Sequence, residues 1–192
     1  EDAVVVFGIG QGDTGVAPLE LPGIVGASRQ GRVGMATTAT SGARPFCGFS
    51  LESALGTGLS GRVPHWLGST FGLAWTVPAG TVGKCPLVLG WYHHGLATTG
   101  LDTTYGYTRS WKDLEAVLSA ALAHAPNAWE IARDRDRELD AFCISDDRKW
   151  MLAHATRGYL GNLQILSTPQ GEPVCVVNEG EYCMMNTLDL SV

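Results

Sequence analysis

The chain has no apolar run approaching the ~18 residues that a membrane-spanning helix requires, and its first residues carry neither a basic cluster nor an apolar secretory core. Basic residues are also scarce. Thirteen Lys and Arg against 19 Asp and Glu leave a formal net charge of −6, which repels phosphate backbones and anionic bilayers. Nucleic acid and membrane surfaces are therefore not expected partners, and a soluble protein is. Cysteine is limited to Cys47, Cys85, Cys143, Cys175 and Cys183, an odd set, widely spaced, without a Cys-x-x-Cys or Cys/His ligand pattern. This argues against a zinc module or a disulfide scaffold. The five are expected as reduced residues packed in or near the core of a cytoplasmic protein.

What is present is a folded composition, 45% hydrophobic and 17% charged, divided near residue 110. Residues 1–110 hold 21 of the 25 glycines and equal numbers of acidic and basic residues, so residues 111–192 carry the whole net charge. The first region reads as β. Phe71, Leu73, Trp75 and Val77 alternate on one face of a strand, and Pro78-Ala79-Gly80 supplies a turn that predicts a hairpin with "CPLVLGWYHH", a run apolar on both faces. "AVVVFGI" and "RVGMATTAT" add strands, which predicts a sandwich or a large antiparallel sheet. The second region reads as helix. "SWKDLEAVLSAALAHA" begins at a Ser110 cap and stops near Pro126, and "NAWEIARDRDRELDAF" resumes with Asn127 as cap. A third helix starts at Ser145 with Asp146 and Asp147 in its first turn, continues through "LQIL", and presents Leu152, Ala155, Tyr159, Leu163 and Leu166 as an apolar stripe.

Several motifs invite chemistry that their context does not support. Gly10-Gln11-Gly12-Asp13-Thr14-Gly15 matches a dinucleotide fingerprint, but Pro18 and Pro22 stand where the phosphate-binding helix has to follow, so a β connection is expected. His93 and His94 are adjacent, and on a strand they point to opposite faces, which rules out a two-ligand clamp on one metal ion. His154 is expected as a packing residue, Arg148 and Trp150 at a helix surface, and the charges of "RDRDRELD" on a solvated helix face. His65 and Trp66 fall in a loop where an aromatic ring can meet a sugar.

The last stretch, "VCVVNEGEYCMMNTLDLSV", is more distinctive. Glu179 and Glu181 share a face if the segment is extended, and Asn178, Tyr182, Asn186, Thr187 and Asp189 surround them with directional polar groups. Carboxylates among aromatic and sulfur-containing residues suit the pKa tuning that glycosidases need. An acidic loop leading into a helix accounts for the same residues equally well.

"SDDRKWMLAHATRGYLGNLQIL", followed by "VCVVNEGEYCMMNTLDLSV", closely resembles glycoside hydrolase family 52, a family of β-xylosidases. "VPAGTVGKCPLVLGWYHHGLATTGLDTTYGYTR" resembles the same family in order and spacing, so the likeness runs along nearly the whole chain. It implies a large retaining enzyme, without cofactor or metal, that releases xylose from the non-reducing ends of xylo-oligosaccharides or cleaves aryl β-xylosides. The implied fold is a β-sandwich followed by an (α/α)6 barrel: residues 1–110 as part of the sandwich, 111–144 as a helical linker, 145–192 as the start of the barrel. In this resemblance Glu181, immediately before Tyr182, takes the place of the nucleophile. Glu179, Asn178, Tyr182, Asn186, Thr187 and Asp189 become supporting or substrate-binding residues, the last three being equally suited to cap a following helix. The family's acid/base is an aspartate well downstream, which implies that the 192 residues are an internal fragment, inactive alone, with monomer and homodimer both open for the full-length protein. A β-glucosidase of the related glucosylceramidase type and a non-catalytic carbohydrate-binding sandwich are the competing readings.

Overall fold

The computed structural model describes residues 2–11, 16–29, 33–48, 69–98 and 102–177. They are mixed β and α, with antiparallel sheets and two α-helices, and form two compact units. One comprises residues up to Tyr92 together with Trp111–Ala125; the other comprises His93–Ser110 and the residues from Pro126 onward.

The first unit contains β1 (Ala3–Gln11), β2 (Val16–Leu21), β3 (Ile24–Arg29), β4 (Val33–Thr37), β5 (Ala43–Gly48), β6 (Ser69–Val77) and β7 (Val88–Trp91). Two sheets result, of order β1-β6-β5 and β2-β3-β4-β7. β6 is the centre of the first, paired along its full length with β1 from Ala3↔Val77 to Gln11↔Ser69. The alternation read from the sequence holds where it matters: Phe71 and Leu73 are fully buried and meet Ala27 and Met35 from the second sheet in one core cluster. Burying each of these large side chains contributes about 1.5–3 kcal/mol.

The expected hairpin does not form. β7 pairs with β4, from Val33↔Trp91 to Ala36↔Val88, and not with β6. The chain after Val77 thus passes from one sheet to the other, because β6 already has β1 and β5 as neighbours on its two sides. Nor is "CPLVLGWYHH" covered on both faces, since Leu89 and Trp91 are exposed. At the proposed dinucleotide fingerprint, β1 runs through Gly10 and β2 begins at Val16, so strand follows strand, as the two prolines indicated.

The first helix, α1 (Leu114–Asp140), is capped by Asp113, whose Oδ1 accepts the Ala116 N–H at 2.8 Å. Ser110 is not the cap; it closes a short 3-10 helix, Gly106–Arg109, by donating its N–H to the Tyr107 carbonyl. α1 also continues through Pro126. Proline removes one backbone donor and crowds the carbonyl four residues earlier, but Ala, Leu, Glu and Arg dominate both flanks and favour helix. The first turns of α1 belong to the first unit because Leu114 and Leu118 seat on β4 and β7. Gly34 and Gly90 are paired directly across these strands, and a Cβ at either would stand 2.8–2.9 Å from Leu114 or Leu118 side-chain carbons. Glycine here is a steric requirement for the helix to approach the sheet.

The second unit contains β8 (Leu96–Thr98), β9 (Thr103–Tyr105), the later turns of α1, α2 (Asp146–Asn162), β10 (Leu163–Ser167) and β11 (Pro173–Val177). Its sheet order is β11-β10-β9-β8. α2 starts after Ser145 as expected, but it ends at Asn162, and "LQILS" is strand β10, so the predicted apolar stripe is split between two elements. No residue of α2 is buried, and Leu152 and Tyr159 are exposed. The charges of "RDRDRELD" do lie on an exposed face, in ion pairs Arg133–Glu130, Arg137–Asp134 and Arg157–Asp136. The cysteine expectation fails at two positions: Cys143 and Cys175 are exposed free thiols, while Cys85 is half-buried beside Thr37.

Two substitutions test these assignments. Gly34→Val is expected to cost about 1–3 kcal/mol by overpacking and to accelerate amide hydrogen exchange in β4 and β7; unchanged protection there removes the close-approach argument. Asp136→Ala, which breaks the exposed Arg157–Asp136 pair, is expected to change stability by less than about 1 kcal/mol in a thermal melt.

Candidate active site

The motif singled out in the sequence follows directly on β11. Residues 178–192, and with them Asn178, Glu179, Glu181, Tyr182, Asn186, Thr187 and Asp189, lie outside the described residues; so do His65 and Trp66. The structure does define the platform from which the motif departs. β10 and β11 pair antiparallel from Leu163↔Val177 to Ser167↔Pro173. The register sets Val177, the residue before Asn178, opposite Leu163, where α2 passes into β10. Asn162 closes that helix end by donating from Nδ2 to the Gly158 carbonyl at 3.0 Å.

At the other end of the hairpin, Thr168 organises the turn. Its N–H donates to the Glu172 carbonyl at 2.9 Å, its carbonyl accepts the Gly171 N–H at 2.9 Å, and its Oγ1 accepts the Glu172 N–H at 3.0 Å. Gly171 adopts φ +92°, a left-handed conformation open to glycine at no steric cost. Arg109, at the end of the 3-10 helix, donates from Nη1 to Oγ of the buried Ser167 at 2.9 Å. Its guanidinium lies against Gly171, where a Cβ would collide with Nη1. Extending the third helix through "LQIL" leaves no place for this hairpin turn. Two five-residue runs rich in Leu, Ile and Val flanking Thr-Pro-Gln-Gly-Glu are a hairpin signal that identifies it, whereas nothing local indicates a contact with Arg109, 58 residues away from Ser167.

A second polar and aromatic cluster sits on β9 and the 3-10 helix. Tyr105 and Tyr107 stack at 5.8 Å, His93 meets Tyr105 edge-on at 5.6 Å, and the His93 N–H donates to Tyr107 Oη at 2.7 Å. His93 and His94 lie past the end of β7, outside any strand, and are exposed. Among the described residues no group of three or more His, Cys, Asp or Glu is gathered that can hold a metal ion. His154 is also not the packing residue expected of it: it is exposed, with its ring 4.2 Å from that of Trp150, itself exposed.

Among the described residues, an open groove of about 450 Å³ lies between α1 and α2, lined by Leu139, Phe142, Leu152 and Leu160 together with Asp136 and Glu138. It does not present the carboxylate pair that glycoside hydrolysis needs. Asp136 is engaged by Arg157 at 2.9 Å, and residues two apart on a helix do not face each other. By its residue types, the acidic motif after β11 is the candidate centre.

Comparison with known proteins bears on that motif. The sequence model of glycosyl hydrolase family 52 matches residues 1–192. A β-xylosidase of Geobacillus stearothermophilus is 37% identical over 163 residues, which is 85% of this chain and 23% of the relative. A second β-xylosidase of the same organism is 35% identical over 133 residues, 69% of this chain and 21% of the relative. The chain belongs to glycosyl hydrolase family 52. It spans less than a quarter of the length of these curated relatives.

Tyr107→Phe keeps the ring stack and removes the acceptor of the His93 N–H. The expected result is several-fold faster exchange of the His93 amide, equivalent to the ~1 kcal/mol of one net hydrogen bond.

Proposed function

We propose that the full-length protein is a retaining β-xylosidase that releases xylose from the non-reducing ends of xylo-oligosaccharides, with Glu181 as its nucleophile. The observation that carries the reading is the family match along all 192 residues together with two relatives named as β-xylosidases. Glu181 is chosen over Glu179 because it immediately precedes Tyr182, the arrangement that the family resemblance attaches to the nucleophile.

In this mechanism the Glu181 carboxylate attacks the anomeric carbon while a second carboxyl group, about 5–5.5 Å away, protonates the departing oxygen. The glycosyl–enzyme ester is then hydrolysed by water, the second group now acting as base. We assign that acid/base to chain outside these 192 residues. Residues 1–110 are read as sandwich, 111–144 as linker and 145–192 as the opening of an (α/α)6 barrel. Asn178, Glu179, Tyr182, Asn186, Thr187 and Asp189 are assigned to supporting the nucleophile and binding sugar hydroxyls, and the cytoplasm to the enzyme's location.

The deciding experiment is azide rescue of Glu181→Gly in the full-length protein with an activated aryl β-xyloside. Formation of α-xylosyl azide is expected, because the anion enters the face vacated by the nucleophile. A β-azide product makes Glu181 the acid/base, and wild-type turnover without azide removes it from the mechanism. Faster turnover of β-glucosides than of β-xylosides by the unaltered protein favours the β-glucosidase reading instead.

A further inference from the structure

We infer that the sandwich of the first unit is open at the end formed by β1 and β7, and that strands from the part of the full-length polypeptide outside residues 1–192 pair with these two edges and close its core. The inference rests on membership of the family, and on neither Glu181 nor the xyloside reading.

Sheet order puts the two edges together. β2 packs on β5, β3 on both β5 and β6, and β4 on β6. In the orders β1-β6-β5 and β2-β3-β4-β7, the strands β2 and β5 therefore close one end while β1 and β7 stand at the other. Core-facing side chains are uncovered there. Residues paired across an antiparallel ladder project to the same face. Leu89 is opposite Met35 and Trp91 opposite Val33; Met35 is buried in the cluster with Phe71 and Leu73, and Val33 packs against that cluster. Leu89 and Trp91 thus belong to the core side of their sheet, yet they are 38% and 59% exposed. Val5, opposite Trp75 on the face of β6 that carries Phe71 and Leu73, is 36% exposed. α1 does not supply the cover, because it seats on the opposite face of β7, at Gly90.

The backbone edges give the same answer independently. An edge strand presents unpaired N–H and C=O groups, and folded proteins blunt it with proline, charge or a bulge. β2 carries Pro18 and Glu20, β5 carries Arg44 and Pro45, β8 meets β9 through a register shift, and β11 begins at Pro173. β1 and β7 have none of these devices. "AVVVFGIGQ" runs nine residues in unbroken register with β6, and "VLGW" pairs without interruption with β4. Each has one strand partner among the described residues. Unguarded edges and uncovered core-facing side chains coincide at one end, which is the pattern of ladders that continue. The occupant is assigned to the same polypeptide because these residues span less than a quarter of the relatives' length, so ample chain is left to supply it. Its chemistry follows from the edges: extended segments whose alternate apolar residues cover Val5, Leu89 and Trp91.

The test is residue-resolved amide exchange of the full-length wild-type protein. On an edge strand alternate N–H groups point away from the sheet, and a second neighbouring strand bonds them as well. All amides of β1 and β7 are therefore expected to exchange at least about 100-fold more slowly than unprotected ones, at every protein concentration. Alternating fast and slow amides along either strand overturn the inference. So does protection that disappears on dilution, which makes a second copy the cover. Benzoylphenylalanine in place of Trp91, activated by light, then identifies the neighbour. A crosslink to a peptide outside residues 1–192, in a species of single-chain mass, is expected; a crosslink within residues 1–192, or a species of doubled mass, overturns the inference. Neither readout involves turnover, so failure of the enzymatic proposal is seen separately, in the azide experiment.

Discussion

Leu118 of α1, fully buried over the facing glycines Gly34 and Gly90, is the contact that the first unit is arranged around. The glycine pair lowers the sheet surface by two side chains, and Leu114 and Leu118 fill the depression. β4 and β7, joined through this pair, are buried on the helix side by α1, while Met35 of β4 on the opposite face joins Phe71 and Leu73 of β6. One close approach therefore explains why a glycine-rich β region and an apolar helix start share a unit although 18 residues of chain, His93–Ser110, separate the two segments. The buried side chains of α1, Leu114, Leu118 and Leu122, all lie in the part of the helix that belongs to the first unit.

The second unit solves a different problem. Its described residues bury little apolar surface and make directional polar contacts, with Thr168 closing the turn, Arg109 joining the 3-10 helix to Ser167, and Tyr107 accepting from the His93 backbone. Hydrogen bonds of this kind contribute modestly to stability, about 1 kcal/mol each, but they constrain geometry strongly. That is the property required of a platform from which an acidic motif departs, and it complements a reading in which the chemistry lies just beyond Val177.

Much of the local structure was legible from the sequence because it rests on neighbouring residues. The alternation at Phe71 and Leu73, the α2 start after Ser145, the strand character of "AVVVFGI" and the solvated charges between Arg133 and Asp140 all follow from periodicity and composition. The misreadings have a common origin. Pro126 reads locally as a stop, although its flanks are strong helix formers; Ser110 reads as a cap, although Asp113 makes the hydrogen bond; and "LQIL" reads as a continuation of α2, because a short apolar run fits helix or strand until its partner is known. The candidate site is read from the sequence as a family motif, the unusual string from Asn178 to Leu190, and that string lies outside the described residues.

Chain order, the division of glycine and charge near residue 110, the carboxylates of the terminal motif and membership of the family are properties of the sequence by itself. Tertiary structure alone decided that β7 pairs with β4 instead of β6, that α1 seats on a glycine pair, and that Arg109 grips a turn 58 residues further on at Ser167. The physical reason is that strand partners and side-chain clamps are chosen by competition among distant segments for the same surface and the same hydrogen-bonding groups, and that competition leaves no trace in local periodicity.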